Sequence, residues 1–205
     1  MTIFPNVLAA LAERSAQETF MRALRKAARA FWGGQIDRTL FNYTFSNELE
    51  YYLTRAFVLG AKDVGIKENE ILGSEKFQMR IRIIGQLNSI GPFADFIQLH
   101  SKANGGSLPS IYVRVSMWHG QYLAMRNFAK ALIGKDKKLI WVEGDTKDKC
   151  STCLKLDGKV FRASQWKEAD VYPQHPQLEC HGIRCRCKLM VTTADLTSGE
   201  VPSIP

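Results

Sequence analysis

All five cysteines of this chain fall within one stretch of 38 residues. They form two groups, with the pattern Cys150-x-x-Cys153 followed by Cys180-His181-x-x-x-Cys185-x-Cys187. Two thiols two residues apart can face one cation from a tight turn, and a second thiol group further along the chain can complete a tetrahedron. The sequence therefore predicts a metal-binding cluster in its last third.

A tetrahedral site needs four ligands, and this cluster offers six candidates. Cys150 and Cys153 are the strongest, and Cys185 follows them. In a strand, the side chain of Cys187 would point the same way as that of Cys185, so both could reach one site. His181 and Cys180 complete the candidates, and which four bind stays open.

Structural zinc (Zn²⁺) is the cofactor that this donor set predicts. Four protein ligands leave no open coordination position, which predicts an ion that does not catalyse a reaction. A metal-free cluster of packed or disulfide-paired thiols is one alternative, and a redox or iron site is another. In a reducing cytosol, where we expect this chain to fold, closely spaced thiols more often bind metal than form disulfides. The odd number of cysteines also disfavours a complete set of disulfides.

The net charge of +8 favours a polyanionic partner, which means nucleic acid or an acidic protein surface. Two basic surfaces are candidates for contacts with nucleic-acid phosphates. The first lies on one face of the first predicted helix and contains Arg22, Arg25, Lys26 and Arg29. The second surrounds the last cysteines and contains Arg184, Arg186 and Lys188. A solvated surface that contacts no phosphate is the alternative for both.

Apolar residues at three- and four-residue steps predict helices over 6–32, 46–62, 74–87, 92–102 and 110–133. Beyond Gly134 the pattern changes to a predicted strand over 139–143, a hairpin turn at Asp157-Gly158 and a closing strand over 184–191. No secretory signal is apparent, and no apolar stretch is long enough to cross a bilayer. We therefore expect no membrane partner.

These patterns predict an α+β protein, with a mostly helical N-terminal part and a small C-terminal β-hairpin module stapled by a cysteine-ligated metal. The predicted segments are a helical region over 1–134, a cysteine-rich β module over 135–191 and a flexible tail over 192–205. A module this small buries little surface, so a metal cross-link would supply the stability that its core lacks.

The stretch Trp141-x-x-x-Asp145-x-x-x-x-Cys150-x-x-Cys153-x-x-Leu156-x-Gly158, followed by prolines and Cys185-Arg186-Cys187-x-Leu189, resembles the C-terminal signature of the phage Mu F-like family. These are head-morphogenesis or minor head proteins of phages. By this resemblance, Cys150, Cys153, Cys185 and Cys187 match the family's cysteines position by position. The family's histidine lies three positions before its Cys-Arg-Cys element, whereas His181 lies four before Cys185 and Cys180 is an extra thiol. The helical part is similar to the family more loosely.

The resemblance implies a low-copy structural protein of the virion, acting at the portal vertex in capsid assembly and in DNA packaging or delivery. The implied partners are portal and capsid proteins, with double-stranded DNA as a further candidate. The implied location is the capsid interior or portal vertex, and the host cytoplasm during assembly. We expect no catalytic residue and no small-molecule substrate.

Enzymes and nucleic-acid adaptors are the alternatives. Some Mu F-like proteins carry ADP-ribosyltransferase toxin domains, and Glu48-x-Glu50 superficially resembles that chemistry, but the accompanying arginine and Ser-Thr-Ser elements are missing. A nuclease would need a general-base histidine beside a metal-bound phosphate, and the chain has four histidines to offer. A zinc-ribbon nucleic-acid-binding adaptor would normally present two Cys-x-x-Cys turns, and here the second is Cys-x-Cys.

Overall fold

The computed structural model describes residues 5–146, 150–182 and 185–204, with the backbone alone for residues 5–14. Its helices are α1 (Pro5–Trp32), α2 (Arg38–Asp63), α3 (Gly73–Leu87), α4 (Ile90–Leu99), α5 (Leu108–Val115), α6 (His119–Ile133), α7 (Ser151–Leu156) and α8 (Ala163–Glu168). Its strands are β1 (Lys138–Val142), β2 (Val160–Arg162) and β3 (Lys188–Val191). The predicted α+β class, mostly helical with a small sheet in the C-terminal part, is confirmed.

The chain folds as two compact units. The first contains Met1–Tyr52 and Ile83–His119, and the second contains Leu53–Arg82 and Gly120–Pro205. The boundaries between units therefore fall inside α2, inside α3 and after the first residue of α6. The segments predicted from the sequence follow changes in composition along the chain instead, with the bounds 1–134, 135–191 and 192–205. Their separate functional roles stay a prediction.

The helix predicted over 6–32 is confirmed as α1. Its buried stripe contains Phe20, Leu24 and Ala28, none of which is exposed to solvent. The helix ends at a glycine pair, as predicted: the Gly33 N–H donates to the Arg29 carbonyl at 2.9 Å, and Gly34 has a φ of +71°. That left-handed angle favours glycine, so the sequence itself sets this end.

The second helix begins at Arg38 rather than at residue 46, where a serine or asparagine cap was predicted. Asp37 supplies the cap instead, because its carboxylate accepts the Leu40 N–H at 2.7 Å. The added turns place Phe41, Phe45 and Leu49 at four-residue intervals, and all three are fully buried. The predicted start was wrong because a polar residue inside the helix resembled a cap.

Four aromatic rings form the centre of the first unit. Phe45 lies 5.2 Å from Phe41, 5.6 Å from Phe93 and 5.1 Å from Trp118, measured between ring centroids. Phe93 and Trp118 are 5.2 Å apart. Tilted and edge-on ring pairs at these distances stabilise a core beyond the area that they bury. The rings come from α2, α4 and the segment after α5, so they join elements far apart in sequence.

The single helix predicted over 110–133 is broken into three pieces. α5 ends at Val115, a turn of 3-10 helix covers Ser116–Trp118, and α6 begins at His119. The Ser116 hydroxyl donates to the Val113 carbonyl at 2.5 Å, which competes with the helical pattern at the break. The other predicted helices form with small shifts, as α3 and α4. None of the helices in the described ranges is both long and apolar enough to cross a membrane.

In the second unit, α2 and α6 pack closely at Gly60. A Cβ atom added there would lie 2.3 Å from the Arg126 carbonyl oxygen and 2.7 Å from the Ala129 Cβ. The sequence predicted that Gly60 and Ala61 would let another helix approach, and α6 is that helix. Beside this contact, the Arg126 guanidinium donates two hydrogen bonds to the Asp63 carboxylate, at 2.7 and 2.8 Å.

The sheet is antiparallel with strand order β2-β1-β3. Trp141 on β1 pairs in register with Leu189 on β3, and both side chains are fully buried. Trp141 also lies 5.8 Å from Trp166 of α8, whose indole N–H donates to the Leu139 carbonyl at 3.1 Å. The strands have five, three and four residues, so α8 supplies much of the sheet's apolar cover.

The tight hairpin predicted at Asp157-Gly158 is wrong in its connection. α7 lies between β1 and β2, and the two residues link this helix to β2. Gly158 has a φ of +73° and donates its N–H to the Trp141 carbonyl at 2.9 Å. The turn signal was therefore real, but it ends a helix rather than a strand.

In the segment predicted to be a flexible tail, several residues are tied to the sheet. The Thr197 N–H donates to the Val160 carbonyl, and the Thr197 hydroxyl accepts the Val160 N–H, each at 2.9 Å. The Thr192 N–H donates to the Lys138 carbonyl at 3.1 Å, and the Lys138 side chain donates to the Ala194 carbonyl at 3.0 Å. Flexibility of the remaining residues stays a prediction.

We expect Gly60→Ala to destabilise the second unit by about 1–3 kcal/mol, because the new methyl group overlaps the backbone of α6. Chemical denaturation followed by circular dichroism measures the change. Gly85→Ala in α3 is the matched control, since its added Cβ meets nothing within 4 Å. It should stabilise by about 0.5–1 kcal/mol. Equal effects of the two variants would contradict the close packing.

Candidate metal centre

The first two cysteines lie at the start of α7. Cys150 is the N-cap residue, with an extended backbone, and its sulfur accepts the Cys153 N–H at 3.3 Å. Cys153 is buried, whereas Cys150 is half-buried. The sequence predicted a tight Cys-x-x-Cys turn, and the first turn of a short helix serves the same purpose.

The last two cysteines lie on the segment that leads into β3. Cys185 and Cys187 are both buried, at 8% and 5% exposure, and their sulfurs lie in one group with that of Cys153. Cys150, Cys153 and Cys180 form a second group. Within each group the sulfur atoms lie within 4.8 Å of one another, and Cys153 belongs to both.

The spacing of these sulfurs fits a tetrahedral ion. Two thiolates bound to one ion at about 2.3 Å have their sulfurs about 3.8 Å apart. The Cys153 and Cys185 sulfurs are 3.9 Å apart. The cysteine cluster therefore has the geometry to hold a metal ion. Thiolates are soft donors that suit zinc, Cu(I) and iron–sulfur centres better than magnesium or calcium.

Hydrogen bonds within the buried group make its thiols unequal. Hydrogen bonds from the Cys153 and Cys187 thiols lower the pKa of Cys185 far below its usual range, and backbone N–H groups add to this effect. The same bond to Cys185 raises the pKa of Cys153. Among these thiols, Cys185 is therefore the one whose thiolate form the surroundings favour most. Metal binding requires the thiolate form, so this hydrogen bonding favours a ligand role for Cys185.

Gln174 holds the Cys185–Cys187 segment in position. Its side-chain amide nitrogen donates to the Cys187 carbonyl at 2.7 Å, and it lies 3.3 Å from the Cys185 carbonyl and 3.5 Å from the Cys185 sulfur. Its side-chain oxygen accepts a 2.8 Å hydrogen bond from Asn127. Gln174 is 3% exposed and has a φ of +64°, which non-glycine residues rarely adopt. One side chain therefore meets both sides of the Cys-x-Cys element.

The helix α6 completes this buried network. The Asn127 side-chain oxygen accepts the Leu189 N–H at 3.0 Å, and its nitrogen donates to the Cys187 carbonyl at 3.3 Å. Lys130 donates to the Leu189 carbonyl at 2.8 Å and pairs with Asp63 at 3.1 Å. Polar groups of the cysteine segment and of β3 are thereby satisfied by side chains from a helix far away in sequence.

Two glycines allow the close approach of the loops around the cluster. A Cβ atom at Gly144 would lie 2.4 Å from the Arg186 backbone, between the last two cysteines. A Cβ atom at Gly182 would lie 2.5 Å from the Gln174 carbonyl, and Gly182 also has a φ of +69°. Larger residues at either position would displace the Cys-x-Cys element or its support.

Cys180 and His181, predicted as alternative ligands, differ in their placement. Cys180 is half-buried and belongs to the group of Cys150 and Cys153. His181 belongs to neither described group; it is exposed, and its Nδ1 lies 3.0 Å from the Pro176 carbonyl oxygen. Glu179, which precedes Cys180, accepts hydrogen bonds from the N–H and the hydroxyl of Ser151 at 2.7 and 2.6 Å. These bonds tie the segment to α7.

The two predicted basic surfaces differ in how exposed their residues are. Arg22, Arg25, Lys26 and Arg29 are all exposed on α1 and line one groove of the first unit. Near the last cysteines, Arg186 is exposed and Lys188 is half-buried at the start of β3. Arg184 lies outside the described residues.

Sequence reasoning missed Asn127, Gln174, Gly144 and Glu179. Asn127 carried a signal, because it is a polar residue between the apolar Met125 and Phe128 of a predicted helix. Gln174 carried none, since it lies in a proline-rich loop, and its role depends on long-range contacts.

Comparison with known proteins gave no match to this chain: no family model, no curated protein and no solved structure is similar to it.

We expect Asn127→Ala to destabilise the second unit by about 1–3 kcal/mol, because the buried Leu189 N–H loses its acceptor. It should also weaken metal binding about 10–100-fold, as loss of an outer support typically does. Thermal unfolding and competition with a chromophoric chelator measure the two effects. The exposed Asn88→Ala is the control and should change neither. Unchanged metal affinity in Asn127→Ala would show that the network does not support the cluster.

Proposed function

We propose that this chain is a non-enzymatic minor head protein of a tailed phage or prophage, whose cysteine-bearing part is held together by a structural zinc ion. The observation that carries the proposal is the convergence of Cys153, Cys185 and Cys187 in one buried group, with Cys150 adjoining. These are the four cysteines that match the Mu F-like signature position by position.

Other residues of that signature have structural roles in the same unit. Trp141, Leu156 and Leu189 are at most 1% exposed, and Gly158 has the positive φ that its turn requires. The motif residues therefore lie together in one compact arrangement of sheet, short helix and cysteines. This arrangement supports the proposal, because one structural unit uses all of these positions.

Zinc suits this cluster because the donors are sulfur atoms and the Cys153–Cys185 pair has the spacing of two ligands on a tetrahedral ion. We assign Cys153, Cys185 and Cys187 as three ligands and Cys150 as the fourth. Cys180 is the alternative fourth ligand, since it shares a group with Cys150 and Cys153. A complete set of protein thiolates leaves the ion no position for a substrate, so its contribution is to stability.

The placement of His175 and His181 supports a role without catalysis. His175 is 5% exposed, and both ring nitrogens are engaged: Nδ1 accepts the Gln177 N–H at 3.1 Å, and Nε2 lies 3.5 Å from the Asp170 carboxylate. His181 faces solvent from outside both described cysteine groups. A general base positioned beside the ion, which a nuclease would require, thus has no support from these two residues.

The metal is tested by replacing both cysteines of α7. We expect Cys150→Ser with Cys153→Ser to release the ion and to destabilise β1 to β3 while most helical signal remains, because metal-binding free energy is folding free energy in such a module. Elemental analysis gives metal identity and stoichiometry, and hydrogen exchange locates the loss of protection. Cys180→Ser separates the two candidates for the fourth ligand, and it should retain the ion if Cys150 is that ligand. A double variant with unchanged metal content and stability in chelator would refute the structural ion.

The role in the virion is tested by particle assembly. We expect the chain to be recovered in proheads assembled with the portal protein of the same phage, and to be missing from proheads assembled without that portal. Quantitative mass spectrometry of purified particles measures this, with the major capsid protein as internal standard. A chain found only in soluble nucleic-acid complexes and never in particles would favour the zinc-ribbon adaptor instead.

A further inference from the structure

A groove of about 590 Å³ runs along α1 in the first unit. Arg22, Arg25, Lys26 and Arg29 line it, and Tyr112 of α5 contributes to its lining as well. All four basic side chains are exposed. We infer that this groove binds the sugar-phosphate backbone of duplex DNA, and that it, rather than the basic residues beside the last cysteines, is the DNA-binding surface.

The cations of the groove have no carboxylate partner among the described side chains. Across the described side chains, none of the four lies within 4.0 Å of a carboxylate oxygen. Arg38, by contrast, has a carboxylate partner, since it lies 2.5 Å from Asp95. One acidic residue, Glu18, also lines the groove, and it has an interaction of its own. Four unmatched cations on one helix repel one another, and an external polyanion would relieve that repulsion.

The spacing of these cations suits a regular row of phosphates. Positions 22, 25, 26 and 29 lie on one helical face, and seven residues of helix span about 10 Å. Phosphates of one DNA strand advance about 3.4 Å each along the duplex axis, so this span covers about three of them. Three of the four cations are arginines, whose planar forks bind phosphate oxygens in pairs.

Duplex DNA fits better than a single strand. A single strand binds by stacking its bases on aromatic side chains, and the candidate platform is Tyr112. The Arg25 guanidinium already lies over that ring, 5.7 Å from its centroid. Contacts to the backbone alone remain available, and such contacts bind duplexes without reading their sequence.

The basic residues near the cysteines are less suited to this task. Lys188 is half-buried and already has a partner within the protein. Arg186 is exposed, and its backbone lies close against Gly144, between two proposed ligands. Among the described residues of this surface, one exposed cation compares with four on α1.

The inference deepens the proposed function and rests on it for the identity of the polyanion as packaged DNA. The test compares two double variants. The first combines Arg25→Gln and Arg29→Gln on α1. The second is the control, which combines Lys76→Gln and Arg80→Gln on the exposed side of α3 and removes the same charge. Fluorescence anisotropy with a short mixed-sequence duplex measures affinity between about 50 and 200 mM salt. Circular dichroism checks that both variants fold, as exposed positions should allow.

We expect the α1 variant to bind at least about tenfold more weakly at low salt, and the slope of log affinity against log salt to fall by about 2, one for each lost phosphate contact. The α3 variant should keep nearly the wild-type slope. Equal losses in the two variants would mean that net charge alone attracts DNA, and would overturn the groove assignment. So would wild-type binding by the α1 variant, or tighter binding of a single strand of equal length.

A poly-glutamate competitor separates DNA from an acidic protein partner. Failure of the duplex to bind, with capture of poly-glutamate by the groove, would replace DNA with an acidic protein surface. The prohead experiment separates this inference from the proposed function. A chain that enters particles but binds no duplex would disprove the groove alone. A chain that binds duplex through α1 and never enters particles would disprove the head-protein role and leave the groove standing.

Discussion

Two buried amide side chains, those of Asn127 and Gln174, fix the segment that carries the last two cysteines. Together they satisfy the carbonyls of Cys185 and Cys187 and the N–H of Leu189. An unpaired buried polar group costs about 1–3 kcal/mol, so the segment has one favourable position rather than several. The sulfur atoms of Cys185 and Cys187 are thereby held in a cluster with the geometry to hold a metal ion. Preorganisation of this kind would let binding free energy go into metal–sulfur bonds instead of ordering a loop.

The cysteine cluster was predictable because its information is local. A Cys-x-x-Cys pair converges on any tight turn or first helical turn, so the prediction held although α7 replaced the expected turn. Gly60 was predictable for a similar reason, since a small residue on an apolar helical face favours close packing. The supporting network was not predictable, because it joins Asn127 of α6 to residues 47 and 62 positions away, and polar residues carry no periodic signal.

Two predicted helix boundaries were wrong, for different reasons. Ser46 resembled an N-cap, yet Asp37 caps the helix from further upstream. The apolar pattern of the sequence continues across residues 116–118, so it could not show the break between α5 and α6. Burial of Trp118 among the rings of the first unit is a tertiary constraint. Local propensity indicates that a helix forms, and packing decides where it stops.

The tryptophans described above divide evenly between the two compact units. Trp32 and Trp118 belong to the first, and Trp141 and Trp166 belong to the second. The indole of Trp118 is nearly buried among other rings, and those of Trp141 and Trp166 are completely buried. Intrinsic tryptophan fluorescence of the natural chain therefore combines the emission of both units. Phenylalanine in place of either pair would isolate the emission of one unit, so that its melting could be followed without any attached dye.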